Sequence, residues 1–146
     1  MSKLDKALSI LLIVAIVAAL GAIIYLSVTP KESEKFTEFY ILNAEGKAQD
    51  YPKQVTLGEP VDVMLGVVNH EYQPASYQVK IESGSIEISQ VKIGTLEHEQ
   101  KWEEKISFTP QTLGERQRFE FYLYRDGGDV PYLKDPLRLY LDVLSQ

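Results

Sequence analysis

Val61-Asp62-Val63-Met64-Leu65-Gly66-Val67-Val68 puts Val61, Val63, Leu65 and Val67 at every second position, and a period of two marks a strand with one buried face. Gly58-Glu59-Pro60 launches this run and Asn69-His70-Glu71-Tyr72-Gln73-Pro74 closes it, both being stretches of turn-forming residues. The opposite parity, Asp62, Met64, Gly66 and Val68, is polar at only one position, so the run reads as a central strand.

The same alternation extends in both directions. Before the run, Phe36 to Leu42 is rich in aromatic and branched residues and ends at Asn43-Ala44-Glu45-Gly46, where Gly46 can supply a positive φ; Gln54 to Leu57 reads as a short second strand. After it, Tyr77, Val79 and Ile81 alternate with Gln78, Lys80 and Glu82, and Ser83-Gly84 turns the chain into Ile86 to Val91 and on to Ile93-Gly94-Thr95-Leu96. Trp102, Glu104, Ile106 and Phe108 share a parity and stop at Pro110, with the sole tryptophan entering or capping the core. Leu113-Gly114-Glu115 turns the chain into Arg116 to Tyr124, where Phe119, Phe121 and Leu123 face inward. Asp126-Gly127-Gly128-Asp129 reads as a hairpin loop, and Leu137, Leu139, Leu141 and Val143 form the last strand with Arg138, Tyr140 and Asp142 facing away. Short strands at this spacing over about 110 residues, with no helical period, predict an immunoglobulin-like antiparallel β-sandwich.

The amino-terminal end follows another rule. From Ala7 to Val28 the chain runs 22 residues without a charge, enough at about 1.5 Å per residue to cross a hydrocarbon core of about 30 Å as a helix. Lys3 and Lys6 precede the run, whereas Lys31 and Lys35 beyond it are offset by Glu32 and Glu34, which places the amino terminus in the cytoplasm. Ala19-Leu20-Gly21 offers a cleavage site for a signal peptide, but Ala22-Ile23-Ile24-Tyr25-Leu26 continues the apolar run and favours a retained anchor. Lys6-Ala7-Leu8-Ser9 resembles the processing signal of archaeal type IV pilins, which would make the helix the core of a filament. Gly21 among Ala18, Ala19 and Ala22 offers a small-residue face on that helix. Thr29-Pro30 is expected to end it, with residues 31–35 as a charged stalk.

Charge narrows the partners. The formal net charge is −6; Lys3, Asp5 and Lys6 sum to +1, so the rest of the chain carries −7. That balance argues against nucleic acid, which is held by neutralising phosphates. The absence of cysteine excludes disulfides, thiolate nucleophiles and cysteine metal sites. Neither Asn43 nor Asn69 begins a glycosylation sequon.

Catalytic chemistry finds little footing. Ser83 and Ser85 flank Gly84 without the strand-to-helix elbow that a serine nucleophile requires, and a triad would have to recruit His70 or His98. The two histidines read as exposed turn residues far apart in the fold rather than as a zinc or copper site. Asp126, Asp129 and Asp135 surround glycine-rich turns and are weak candidates for calcium, lacking the EF-hand spacing. Asp126-Gly127-Gly128-Asp129 puts acids where a phosphate loop would need amides, and no cofactor is expected. The compositional oddity is nine tyrosines. Tyr72, Tyr77, Tyr122, Tyr124, Tyr132 and Tyr140 are candidates for an interaction surface toward protein or glycan, with the competing reading that they edge a small core.

Phe36-Thr37-Glu38-Phe39-Tyr40-Ile41-Leu42-Asn43-Ala44-Glu45-Gly46-Lys47-Ala48, followed by Tyr51-Pro52 and by Gly58-Glu59-Pro60 leading through Gly66-Val67-Val68-Asn69-His70-Glu71, resembles the C-terminal region of an archaeal membrane-protein family, domain of unknown function 1616. The similarity covers most of the part after the apolar run and is strongest between Phe36 and Ile81. It implies an extracytoplasmic β-domain at an archaeal cell surface. Members of that family carry several membrane helices before the domain, where this sequence has one, and the resemblance brings no catalytic or binding residue with it.

The combined expectation is a cytoplasmic N-terminus at 1–6, a transmembrane helix at 7–28, the stalk at 29–35 and an extracytoplasmic sandwich at 36–146. Its function would be non-enzymatic: held by membrane lipid, the sandwich binds or supports a protein or glycan of the cell envelope. The alternatives are a pilin-like subunit processed before Leu8 and an accessory metal-binding or enzyme-associated domain.

Overall fold

The computed structural model describes residues 2–28 and 34–146, as two compact units divided near Glu34. The first is a single helix, α1, Lys3–Val28. Its start is a reciprocal cap. The Asp5 amide donates to Ser2 Oγ at 3.2 Å, the Ser2 amide donates back to Asp5 Oδ2 at 3.4 Å, and the Lys6 amide makes the first helical bond to the Ser2 carbonyl. The helix therefore begins ahead of the apolar run and takes in Lys3, Asp5 and Lys6. Every described side chain along it is exposed, and the apolar ones lie on all sides. It is long and apolar enough to cross a membrane, consistent with a signal anchor or a signal peptide. The expected stop at Thr29-Pro30 and most of the stalk, residues 29–33, lie outside the described residues.

The second unit holds eight strands: β1 (Phe36–Asn43), β2 (Gln54–Thr56), β3 (Val61–His70), β4 (Ala75–Ser83), β5 (Ile86–Leu96), β6 (Lys101–Phe108), β7 (Gly114–Arg125) and β8 (Leu137–Leu144). They form a three-stranded sheet, β1-β3-β6, and a five-stranded sheet, β2-β8-β7-β4-β5. β3 is central, as its pattern required, and Val61, Val63, Leu65 and Val67 are all buried. The five-stranded sheet answers with Tyr77, Val79, Ile81, Phe119, Phe121, Leu123, Leu139, Leu141 and Val143. Phe108 from β6 meets Phe119 and Phe121 from β7 with ring centroids 5.2 and 5.7 Å apart, tilted and edge-on as aromatic quadrupoles prefer. Burying each such ring is worth about 1.5–3 kcal/mol. Trp102 packs part-buried against the same cluster.

Three details depart from the sequence reading. β2 pairs with β8 in parallel, so the arrangement is not wholly antiparallel: after β1 the chain crosses to the other sheet, and Asp142 and Leu57 amides bond to the Lys53 and Leu144 carbonyls along the new edge. Ile86 to Leu96 is one strand rather than two segments, continuous through irregularities in its pairing with β4. The loop expected to be a hairpin at Asp126–Asp129 is only the first part of a connection that runs on to Pro136. The β4–β5 hairpin, by contrast, is the tight turn that Ser83-Gly84 predicted, with Gly84 and Ser85 both at positive φ (58° and 70°).

Candidate functional site

Polar residues concentrate in three places, and the first lies where the two sheets come together. Asn69, at the end of β3, is fully buried; its Nδ2 donates to the Gln73 and Leu96 carbonyls at 2.8 Å and its Oδ1 accepts from the Glu71 amide at 2.7 Å. That turn swings Glu71 inward to 3% exposure. Glu71 Oε2 accepts from Thr37 Oγ1 at 2.7 Å and from the Tyr132 hydroxyl at 2.5 Å, while Arg125 stands 3.7 Å from Oε1. Tyr77 reaches Thr37 at 2.8 Å, and the Arg125 guanidinium lies 5.0 Å above the Tyr132 ring. Arg125 Nε is buried without a hydrogen bond, although Asp126 Oδ2 is 3.3 Å away: the charge is near but poorly aligned. Burial, then the neighbouring Glu71, raises the pKa of the Tyr132 hydroxyl. For Arg125 burial acts against the charge, and Glu71, Tyr132 and Asp126 more than offset it. Apart from Arg125 Nε, the groups of this knot are engaged with one another, so it fastens loops to strands.

The second place joins the two histidines. His70 is the last residue of β3 rather than a turn residue, and its ring stacks on Phe36 at 4.6 Å. His70 Nε2 meets Glu38 at 2.7 Å, His70 Nδ1 meets Glu99 Oε1 at 3.4 Å, and His98 Nε2 meets that same oxygen at 3.2 Å. The expectation that the histidines lie far apart is thus corrected: the β5–β6 turn carries Glu99 between them. The Tyr72 amide donates to His98 Nδ1 at 3.0 Å, and the Tyr72 ring stacks on His98 at 4.2 Å. The hydrogen bond to Glu38 raises the His70 pKa, burial opposes it, and Glu99 adds to the rise. Among the described residues no group of three or more histidines and carboxylates is arranged to hold a metal ion.

The third place is the outer face of the five-stranded sheet. Strand parity turns Arg118, Glu120, Tyr122 and Tyr124 of β7 and Arg138 and Tyr140 of β8 outward, with Arg118 opposite Tyr140 and Glu120 opposite Arg138. Tyr122 donates to Glu120 at 2.8 Å; that bond, then burial, raises its pKa. Lys80 lies 4.7 Å over Tyr124. Tyr140 is 49% exposed and stands between two clefts of about 550 Å³ each. Ser83, Thr112, Arg116, Gln117 and Arg118 line one, and Tyr51, Lys53, Arg138 and Asp50 line the other. Among the described residues no carboxylate lies within ion-pairing distance of Arg116 or Arg138.

The six tyrosines therefore divide. Tyr122, Tyr124 and Tyr140 share the outer face; Tyr77 is buried in the core with its hydroxyl in the polar knot; Tyr132 closes that knot from the β7–β8 connection; Tyr72 stacks on His98. The acidic candidates are not gathered either. Asp126 Oδ1 accepts from the Ser76 amide at 2.9 Å, whereas Asp129 and Asp135 are exposed along the β7–β8 connection. Sequence reasoning missed Thr37, Arg125 and the arginines around Tyr140. Parity alone marked Arg138 and Tyr140 as outward, but the register that sets Arg118 beside Tyr140 is a long-range fact.

Residues 30–143 match the family described as Domain of unknown function (DUF1616). No curated protein matches the sequence. Among solved structures, the β domain is similar to the CARDB domain of the PF1109 protein from Pyrococcus furiosus, crystallised in complex with di-metal ions: TM-score 0.53, 13% identity, covering 81% of this chain and all of that one. The solution structure of the same domain gives 0.50 at 13% identity, covering 76% of this chain and 98% of that one. A PapD-like domain of human CEP192 is matched over 82% of this chain and 92% of that one, with TM-score 0.36 and 18% identity. At these identities the likeness to the CARDB domain describes the fold.

Proposed function

The chain belongs to the DUF1616 family, and from that premise we propose that it is a non-enzymatic, single-pass membrane protein whose immunoglobulin-like sandwich is held outside the cell and binds another component of the envelope. Membrane lipid is its first partner, through α1; Lys3 and Lys6 sit at the cytoplasmic end. The observation that carries the binding role is the outer face of the five-stranded sheet, where exposed Tyr140 stands between two clefts with Arg116 on one side and Arg138 on the other, neither paired with a carboxylate among the described residues. An isolated stabilising sheet has no need of an exposed aromatic ring flanked by uncompensated charge, whereas a recognition surface uses both. The polar knot and the imidazole–carboxylate chain support the same reading from the other direction, because Glu71 is held by Thr37 and Tyr132 and the two histidines are held by Glu38 and Glu99.

Two measurements test this. A photo-crosslinking residue at Tyr140, in native membranes, should capture an envelope component, and one at Lys105 on the outer face of β6 should not; equal capture at both overturns the assignment of the face. Intact mass of the native protein should show a chain beginning at Met1 or Ser2. A start at Leu8 would replace the anchor with a filament subunit, and a start after Gly21 would replace it with a secreted domain.

A further inference from the structure

The two clefts beside Tyr140 differ from the rest of the domain in charge and in backbone. The part of the chain after the apolar run carries −7, yet Lys53, Arg116, Arg118 and Arg138 line the pair of clefts with Asp50 as the one acid in their lining; Arg118 is engaged with Glu120 at 3.0 Å, which leaves Arg116 and Arg138 as the guanidiniums with no carboxylate partner among the described residues. The first cleft contains no carboxylate at all; hydroxyls of Ser83 and Thr112 and the Gln117 amide complete its polar lining. The backbone there is also built for something. β7 and β8 slip register between Gly114 and Gln117, and within that bulge Arg116 holds φ at +47°, a left-handed conformation that costs a side-chain-bearing residue about 1 kcal/mol or more. Asp142 Oδ1 accepts from the Arg116 amide at 2.7 Å and Gln117 Nε2 donates to the Thr112 carbonyl, so the bulge is pinned from both sides. Asp142 thereby spends its carboxylate on the backbone of Arg116, and no carboxylate pairs with that guanidinium among the described residues.

We propose that these clefts bind a carboxylated glycan, an oligosaccharide containing uronic-acid-type sugars, which crosses from one cleft to the other over the Tyr140 ring. The proposal rests on the binding-face reading above and names its ligand. Arginine forks receive a carboxylate through paired N–H donors in a way that a point charge does not. Hydroxyl and amide side chains match a sugar's own hydroxyls, and a half-exposed tyrosine presents a flat apolar ring to the C–H face of a pyranose while keeping its hydroxyl in water. Each cleft, at about 550 Å³, lies within the range of small-ligand sites. An acidic peptide would meet the arginines equally well, but it has less use for the hydroxyl lining.

The test uses the full chain in nanodiscs and calorimetric titration with a galacturonic-acid oligomer, its methyl-esterified neutral counterpart and a poly-glutamate peptide of equal charge. The acidic oligomer should bind, and Arg116→Gln and Tyr140→Ala should each weaken it about tenfold or more, as expected for losing a charge-assisted pair or a stacking ring. Lys105→Gln, on the other sheet, should leave it unchanged. Esterification should abolish binding. No binding of the acidic oligomer, binding indifferent to Arg116→Gln and Tyr140→Ala, or equal or tighter binding of poly-glutamate each overturns the glycan assignment. If crosslinking at Tyr140 still captures a component while the oligomer fails, the binding face stands and only the ligand class falls; if both fail, the face falls too. Unchanged thermal unfolding of the variants excludes misfolding as the cause.

Discussion

The outer faces of the two sheets carry similar residue types and use them in opposite ways. On the three-stranded sheet a run of polar groups answer one another, Lys105 standing outside it: the Tyr40 ring lies across Gly66, its hydroxyl donates to Glu103 at 2.5 Å, and Lys101 closes on the same carboxylate at 3.2 Å. Asp62 accepts from Ser107, and His70 sits between Glu38 and Glu99. On the five-stranded sheet Arg118 is engaged with Glu120 at 3.0 Å, but among the described residues Arg116 and Arg138 have no carboxylate partner, and Tyr140 is 49% exposed. A face whose charges are paired contributes modestly to stability. One that leaves guanidiniums without partners is what the proposed binding role requires.

The comparison breaks hardest at the knot that ties the sheets together. Glu71→Ala removes the acceptor for Thr37 and Tyr132 and the buried counter-charge of Arg125, leaving only the exposed Asp126 beside it, so unfolding should become easier by about 3 kcal/mol. Denaturant unfolding followed by the fluorescence of Trp102, the single tryptophan, reads this directly. A loss under about 1 kcal/mol would mean that water replaces Glu71 and that the knot is not dry.

The self-satisfied face breaks next. A Cβ at Gly66 would overlap the Tyr40 ring, so Gly66→Ala should cost about 1–3 kcal/mol, the usual penalty for overpacking. In a Tyr40→Ala background the same change should cost less than half as much, since the obstruction is gone. Equal cost in both backgrounds would place the strain in the backbone of β3 and undo the account of that face.

The strands on both faces were legible because a period of two is a local property: β3, β7 and β8 could be laid down from Val61 to Val67, from Phe119 to Leu123 and from Leu137 to Val143 alone. Membership of the family was likewise carried by turn and strand markers between Phe36 and Glu71. What the sequence did not disclose are the pairings across distance. Glu71 looks like a solvated turn acid until Asn69 is seen to turn it inward, and Arg125 reads as the polar end of a strand until its inward parity sets it against Tyr132. His70 and His98 seemed unrelated because the residue joining them, Glu99, is held by backbone bonds between the β5–β6 turn and Asn69. Each of these needs register between strands far apart in the chain, which hydropathy does not encode.

A pH titration separates the faces by a smaller effect. The His70 pKa is raised in the fold, first by Glu38 and then by Glu99. The group that faces it from β1 besides Glu38 is the neutral Phe36 ring, and His98 stands beyond Glu99. A raised folded pKa stabilises fully below the unfolded value of about 6.5 and loses that contribution as pH climbs through the folded one. The midpoint of unfolding should therefore fall as pH rises through and above that range. His70→Gln should flatten the slope, and Arg138→Gln should leave it intact. A slope that survives His70→Gln would assign it elsewhere.

The smallest effect has the sharpest meaning, because it should run in the opposite direction. Arg116 holds a left-handed φ of +47°, and glycine adopts that region without the Cβ clash, relieving about 1 kcal/mol of strain or slightly more. The unfolded chain gains freedom from the same change, which returns about 0.4–1 kcal/mol. Arg116→Gly should therefore be neutral to about 1 kcal/mol more stable, whereas most substitutions destabilise. A residue whose removal relaxes the fold is being kept in a strained pose by something other than folding. Clear destabilisation on Arg116→Gly would instead make Arg116 part of the architecture, and the contrast between a paired face and an available one would lose its strongest support.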